Sequence, residues 1–333
     1  MRTELLSVLR CPRCRAEQSF DCSVSAETED EVREGELTCR ACGERRAVSG
    51  GIADLMIDAP GFVLREQAGL DRFADLMRSD GWDRERVLRL PDEPSGYWSA
   101  QGILMGQVLQ TVELKAGDWI LDVGSNTCWA SARFAERGLR PIALDINANE
   151  MQGLATADWW HEDKGLYMER VLGQMFDLPL ASDALDWVWC CEVLHHNHRS
   201  NLWATMREIY RVLKPGGSLI VANETLRNVR EPKLDPGKTV AEFEGHEHAY
   251  LRRSYVKAAR DAGFQIDLRG PWYHTIFSDE QIGLSARMTT LQGFSAAAAH
   301  AVRRNDRARR AYLAWKSYVA GGTALHMLAT KAP

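Results

Sequence analysis

Two cysteine pairs, Cys11-Pro-Arg-Cys14 and Cys39-Arg-Ala-Cys42, have the spacing that most directly implies chemistry. Two residues between thiolates let both sulfurs of a tight knuckle face one centre, and two knuckles complete the tetrahedral set that zinc prefers. Gly43 follows the second pair, where a turn that points backbone N–H groups at a thiolate favours glycine. The competing readings are four unliganded core cysteines or a thioredoxin-like redox pair, and the surrounding residues lack the strand and helix pattern of the latter. Cysteine fills all four ligand positions, so the ion is expected to be structural rather than catalytic. A module of roughly 55 residues buries too little apolar surface to fold alone, so metal binding should supply much of its stability. The acid-rich stretch 21–36 between the knuckles is expected to form a solvated hairpin tip.

A second chemical signal lies in ILDVGSNTCWA, residues 120–130. An apolar strand closes on Asp122 and Gly124, and the next apolar run closes on Asp145. A strand-terminal carboxylate about twenty residues after such a turn is suited to accept hydrogen bonds from a ribose diol. A dinucleotide would require two further glycines so that its pyrophosphate could approach the backbone and the helix N-terminus. Asn126 and Cys128 stand in those places. A nucleoside cofactor without phosphates makes no such demand, and S-adenosylmethionine is one. Asparagine tolerates a left-handed backbone, so the turn should survive at 126, whereas Cys128 adds a side chain where the helix packs close to the sheet.

The elements that must position these groups follow from the apolar pattern. Strands are expected at 119–123, 141–145, 186–191 and 218–222, and helices at 129–137 and along the face marked by Leu202, Met206, Ile209, Tyr210 and Leu213, ending at Lys214-Pro-Gly-Gly217. Such alternation predicts an α/β fold with a doubly wound, mostly parallel sheet, whose ligand sits beyond the carboxyl ends of its strands. Upstream, Phe62, Leu70, Phe73, Leu76 and Met77 recur at helical spacing, and 91–96 reads as a linker or sharp turn. The division is therefore a zinc-ribbon module at 1–55, a helical linker or lid at 56–96, and the α/β domain at 97–333. The chain has 333 residues, 45% hydrophobic and 26% charged, which is ordinary globular composition. The opening MRTELLSVLRCP does not read as a secretory leader and no window reaches the ~20 apolar residues of a membrane span, so a cytoplasmic protein without membrane contact is expected. A net charge of −5 offers no global attraction to nucleic acid.

With ILDVGSN, ALDIN, QMFDLPLASDALDWVWCCEVLHH and EIYRVLKPGGSLIVANE in this order, the chain resembles the class I S-adenosylmethionine-dependent methyltransferases, with a type 11-like core, from about residue 97 to the C-terminus. The resemblance implies a seven-stranded sheet, with 264–268 and 323–331 as its last two strands. The residues between those strands, about 275–320, would form a helical cap over the substrate site. Its Arg303, Arg304, Arg307, Arg309 and Arg310 read as a solvated helical face rather than a phosphate reader. Asp122, Gly124, Ser125 and Asn126 would lie near the methionine end, Asp145 with Ile146 at the ribose, and Phe176 and Asp177 around the adenine. Cys191 and Glu192 would line the methyl-transfer side. The N-terminal module resembles small zinc-binding proteins that activate methyltransferases, and the zinc segment of certain ribosomal-RNA methyltransferases.

The sulfonium carries an activated methyl group, so the protein has to align the acceptor and, for an alcohol or protonated amine, remove a proton. His196, Glu224 and His246 are the candidate bases. A metal held by His246 and His248 has weaker support than substrate hydrogen bonding, because no further ligand stands at a fixed spacing. The eleven tryptophans hint at a flat apolar or sugar-like substrate, although most of them must be core. The expected activity is methyl transfer to an O or N atom of a small or medium-sized metabolite, with S-adenosylmethionine and structural zinc as cofactors. The alternatives are an rRNA or tRNA methyltransferase, which the acidic charge and the missing Asn-Pro-Pro-Tyr-type tetrapeptide disfavour, and a noncatalytic binding protein. The oligomeric state is not legible in the sequence.

Overall fold

The computed structural model describes residues 1–28, 31–93, 96–198, 201–229, 248–267, 305, 307, 311 and 324–333. His246 lies outside them, as do all but three positions of the cap expected over 275–320. The described strands are β1 (Phe20–Glu27), β2 (Val32–Cys39), β3 (Arg45–Ser49), β4 (Ile52–Asp54), β5 (Trp119–Val123), β6 (Arg140–Asp145), β7 (Glu169–Leu172), β8 (Leu185–Cys191), β9 (Leu213–Thr225), β10 (Gln265–Asp267) and β11 (Ala324–Thr330). They form one sheet in the order β1-β2-β3-β4-β7-β6-β5-β8-β9-β11-β10. The pairs from β4 through β9 are parallel, and both flanks of the sheet are antiparallel.

The cysteine-bearing segment is continuous with this sheet. Its last strand, β4, pairs with β7 in the register Ile52↔Arg170 to Asp54↔Leu172. Without β4, β7 would present a row of unpaired backbone groups, so the pairing closes an edge. Charges fasten the join: Arg170, with a side chain only 3% exposed, meets Glu31 at 2.6 Å, and Arg33 holds Asp158 through two bonds of 2.7 and 2.9 Å. Of the described acids in 21–36, Asp21, Glu27, Glu34 and Glu36 lie along the strands of the β1–β2 hairpin, because the outward side chains of a half-solvated strand are free to be charged, while Glu31 between the strands is buried.

Helices α1 (Gly61–Ser79), α2 (Arg84–Val87), α3 (Gly96–Leu109), α4 (Trp129–Ala135) and α5 (Ala157–Lys164) pack on one face of the sheet, and α6 (Asn201–Val212) and α7 (Arg252–Ala262) on the other. Alternation along β5 sends Leu121 and Val123 into the core with Leu202, Met206 and Tyr255, and Ile120 into the core with Ala74, Leu104, Phe134 and Trp160. Both faces are thus covered, which is why β5 and β8 read as almost uninterrupted apolar runs. Among the described residues no helix is long and apolar enough to cross a membrane.

Candidate functional site

At the carboxyl ends of β5, β6 and β8 the chain leaves a cleft of about 590 Å³, walled by Gly124, Asn126, Asp145, Ile146, Gln152, Gly173, Met175, Glu192, Val193 and His196, and roofed by Glu66 and Leu70 of α1. A second cleft, of about 550 Å³, meets it at Gly124, Asn126 and Glu192 and runs under α3 between Tyr97, Gln101, Asp122, Ser125, Trp129, Trp189 and Cys191.

The turn after β5 builds the junction. Gly124 has φ 67°, and a Cβ there would stand 2.3 Å from Val193 Cγ2, so only glycine lets the 193–196 turn come this close. Asn126 and Cys128 adopt φ 48° and 57°, the left-handed conformation that the absent glycines would have taken without steric cost. Asn126 donates its N–H to Asp145 Oδ2 at 2.9 Å and its Nδ2 to Gln152 Oε1 at 2.7 Å. Cys128 is fully buried and lies 3.8 Å from Ser125 Oγ, in the core with Ala157 and Trp160; it walls neither cleft, and burial pushes its thiol up to about 12. The Trp160 indole donates to Thr127 O at 2.9 Å and pins the turn from behind.

The two strand-terminal carboxylates face different clefts. Asp145 accepts from Asn126 N and Asn147 N, both at 2.9 Å, one on each oxygen, so each oxygen keeps lone-pair capacity toward the first cleft. Burial lifts its carboxyl to about 6, against the pull of those N–H groups. Asp122 walls the second cleft and accepts from Ser131 N and Oγ at 3.1 and 2.7 Å, and burial lifts it to about 7. Two buried polar atoms on these walls have no hydrogen-bond partner among the described residues: Asn126 Oδ1 and Trp189 Nε1. A nucleoside ligand with donors and acceptors of its own fits such a lining.

Several expected positions are corrected. Phe176 and Asp177 do not line the cleft: Asp177 is held by Arg10 at 3.3 Å and by Arg15, while Phe176 lies beside Phe62 with ring centroids 5.9 Å apart. Gly173 and Met175 of the same segment take the wall instead, because charge pairing with the cysteine module turns Asp177 outward. Glu224 is fully buried and is no candidate base. Its carboxylate accepts from Val193 N (3.1 Å), Leu194 N (2.9 Å), His195 N (2.9 Å), His195 Nδ1 (2.8 Å) and Tyr255 OH (3.1 Å). Burial works to raise that carboxyl, but the neighbouring His195 and these donors outweigh it and hold it below the usual carboxylate range. Glu224→Gln should therefore cost about 2 kcal/mol of stability, read by denaturant unfolding, through lost acceptor capacity at buried donors. An unchanged midpoint together with lost activity would restore a chemical role.

His196 does reach the first cleft, with Nδ1 2.7 Å from Glu66 Oε1. Glu66, Leu70, Tyr97, Gln101, Gln152 and Met175 belong to the walls without having been anticipated. The helical spacing around Leu70 marked α1 as amphipathic, but no local signal said that it would roof the strand ends.

At the opposite flank, Cys11, Cys14, Cys39 and Cys42 bring their sulfurs within 4.8 Å of one another, with Cys11–Cys42 at 3.8 Å and Cys14–Cys39 at 3.7 Å. A tetrahedral ion with Zn–S bonds of about 2.3 Å would separate its sulfurs by about 3.8 Å, so the four cysteines fit such an ion. Gly43, at φ 76°, donates its N–H to Cys39 O at 2.8 Å and closes the knuckle.

Residues 121–221 match the family described as methyltransferase domain. Over 191 residues the chain is 26% identical to erythromycin 3''-O-methyltransferase of Saccharopolyspora erythraea, covering 51% of this chain and 60% of that protein. Over 113 residues it is 31% identical to demethylmenaquinone methyltransferase of Corynebacterium glutamicum, covering 34% and 44%. The chain thus spans about half the length of these curated relatives. Among solved structures it is similar to the [4+2]-cyclase SpnF, at 20% identity and TM-score 0.49, covering 83% of this chain and 98% of that one. The first-strand turn, both carboxylates and the junction of the two clefts all fall in the segment that matches the methyltransferase domain family.

Proposed function

We propose that the chain is an S-adenosylmethionine-dependent methyltransferase acting on an O or N atom of a small or medium-sized metabolite, with zinc held by its four cysteines as a structural ion. The observation that carries this reading is Asp145: a strand-terminal carboxylate on the cleft wall, with one N–H on each oxygen and acceptor capacity left for a ribose diol. Relatives that bear on the acceptor include the erythromycin enzyme, 27-O-demethylrifamycin SV methyltransferase and malonyl-[acyl-carrier protein] O-methyltransferase, which support oxygen over nitrogen. In this reading 1–55 is the metal module, 56–96 supplies the roof over the cleft, and 97–333 is the transferase domain.

When bound, the cofactor supplies a methyl group already activated on sulfur. The chain's own part is to hold the adenosyl group at Asp145, Ile146 and Met175 and to exclude water beneath α1. His196 is the candidate base in this scheme. A neutral imidazole that donates Nδ1–H to Glu66 carries its basic lone pair on Nε2. Titration calorimetry with S-adenosylhomocysteine tests the proposal. Binding on the order of micromolar is expected, against none for NAD, whose pyrophosphate this turn does not accommodate. Absence of S-adenosylhomocysteine binding by folded, zinc-loaded protein would overturn the reading.

A further inference from the structure

Among the described residues, Glu192 is the one carboxylate that walls both clefts. Its backbone is left-handed, at φ 50°, and Asn223 beside it on the next strand end has φ 50° as well. Non-glycine residues are held this way at an energetic cost, and such strain persists where the surrounding structure fixes it. Here the fixing groups are visible: Asn223 Nδ2 donates to Glu192 Oε1 at 2.6 Å, Tyr97 OH of α3 donates to Oε2, and Glu192 N lies 3.3 Å from Ala222 O. The effect is to hold one acidic side chain, half-buried, at the seam of the two clefts, where burial raises its carboxyl.

What would lie at that seam follows from the two ends. A ligand with its ribose at Asp145 occupies the first cleft, and its remainder must pass Gly124 to enter the second. In an adenosyl amino acid the atom that joins the two parts is the sulfur, so the sulfur belongs at the seam. That sulfur is a cation in S-adenosylmethionine and neutral in S-adenosylhomocysteine, and the two ligands are otherwise alike but for one methyl group. We infer that Glu192, held by Tyr97 and Asn223, is the residue by which this chain prefers the sulfonium cofactor over its neutral product, so that methyl transfer itself weakens the hold on what remains. The inference rests on the cofactor reading above and adds to it a specificity-determining residue.

The preference is read as the ratio of dissociation constants for S-adenosylhomocysteine and S-adenosylmethionine, each measured by titration calorimetry at fixed pH and salt. Glu192→Gln keeps the shape and can keep the bond from Asn223, but it removes the charge. S-adenosylmethionine affinity is expected to fall about tenfold, the size of a single close charge–charge interaction in a partly buried site, with S-adenosylhomocysteine affinity changed less than about twofold. Equal weakening of both ligands, or of neither, would overturn the inference while leaving the cofactor reading intact. Absence of binding of either ligand to the unsubstituted protein would instead overturn the cofactor reading. If the glutamine variant does not fold, Glu192→Asp, which keeps the charge and withdraws it by one methylene, should give a smaller loss with the same sign. No change in the ratio for that variant would count against Glu192.

Discussion

Cys39→Ser should lower the stability of the whole chain by on the order of 4 kcal/mol or more, which places it among the largest effects expected of a single substitution here. A serine hydroxyl does not ionise near neutral pH and is a hard oxygen, so it cannot replace a thiolate in a soft four-sulfur site. The loss should not stay within the module. Arg10 N–H donates to Pro179 O at 3.0 Å, Ala181 N–H donates to Val8 O at 2.7 Å, and Arg15 and Arg10 hold Asp177, so the knuckle is stitched to the segment whose Gly173 and Met175 wall the first cleft. With β4 paired to β7 as well, scanning calorimetry is expected to show one transition moved to lower temperature rather than a separate early melt. Metal analysis of the purified variant should show less than one equivalent of zinc. Full metal content with an unshifted transition would refute the structural-zinc assignment.

Asp145→Asn is expected to weaken S-adenosylhomocysteine binding about a hundredfold, the loss of roughly two charge-assisted hydrogen bonds to a ribose diol. Asparagine retains the shape and one acceptor oxygen for Asn126 N or Asn147 N, so the fold should persist and calorimetry should isolate the binding term. The pH dependence has a definite sign. The ionised carboxylate is the form that accepts both hydroxyls, and burial lifts its titration to about 6. Affinity in the unsubstituted protein should therefore be constant well above that value. It should fall by up to tenfold per pH unit below it, because each unit removes that fraction of ionised Asp145. The asparagine variant should lose this part of the profile. Hundredfold weaker binding with the acidic limb still present would mean that another group carries it.

The difference between legible and illegible residues is physical. The turn at 122–128, the carboxylates closing β5 and β6, and the two cysteine knuckles were readable because each is a local arrangement: residues a few positions apart on a strand end or a knuckle are placed by the backbone between them. Asn126 and Cys128 looked like an interruption of the turn, yet the backbone keeps its left-handed geometry at both, and Cys128 points into the core. The reading of Glu224 failed for the opposite reason. A glutamate at a strand end looks like chemistry in one dimension, and its five donors come from the 193–195 backbone, the His195 ring and Tyr255, remote in the chain. Asp177 was misplaced because its partners, Arg10 and Arg15, lie more than 160 positions away.

By itself, the amino-acid sequence determined the period of each element, the doubly wound class that this period imposes, the four-sulfur centre and the carboxylate at the end of the second core strand. All of these follow from short-range backbone geometry. Only the tertiary structure decided that the cysteine module continues the sheet through β4, that α1 roofs the strand ends with Glu66 against His196, that Glu224 is an internal brace, and that Glu192 stands where two clefts meet. Those outcomes depend on which buried donors, charges and strand edges find one another across long loops, and a buried polar group takes whichever partner the packed chain brings within reach.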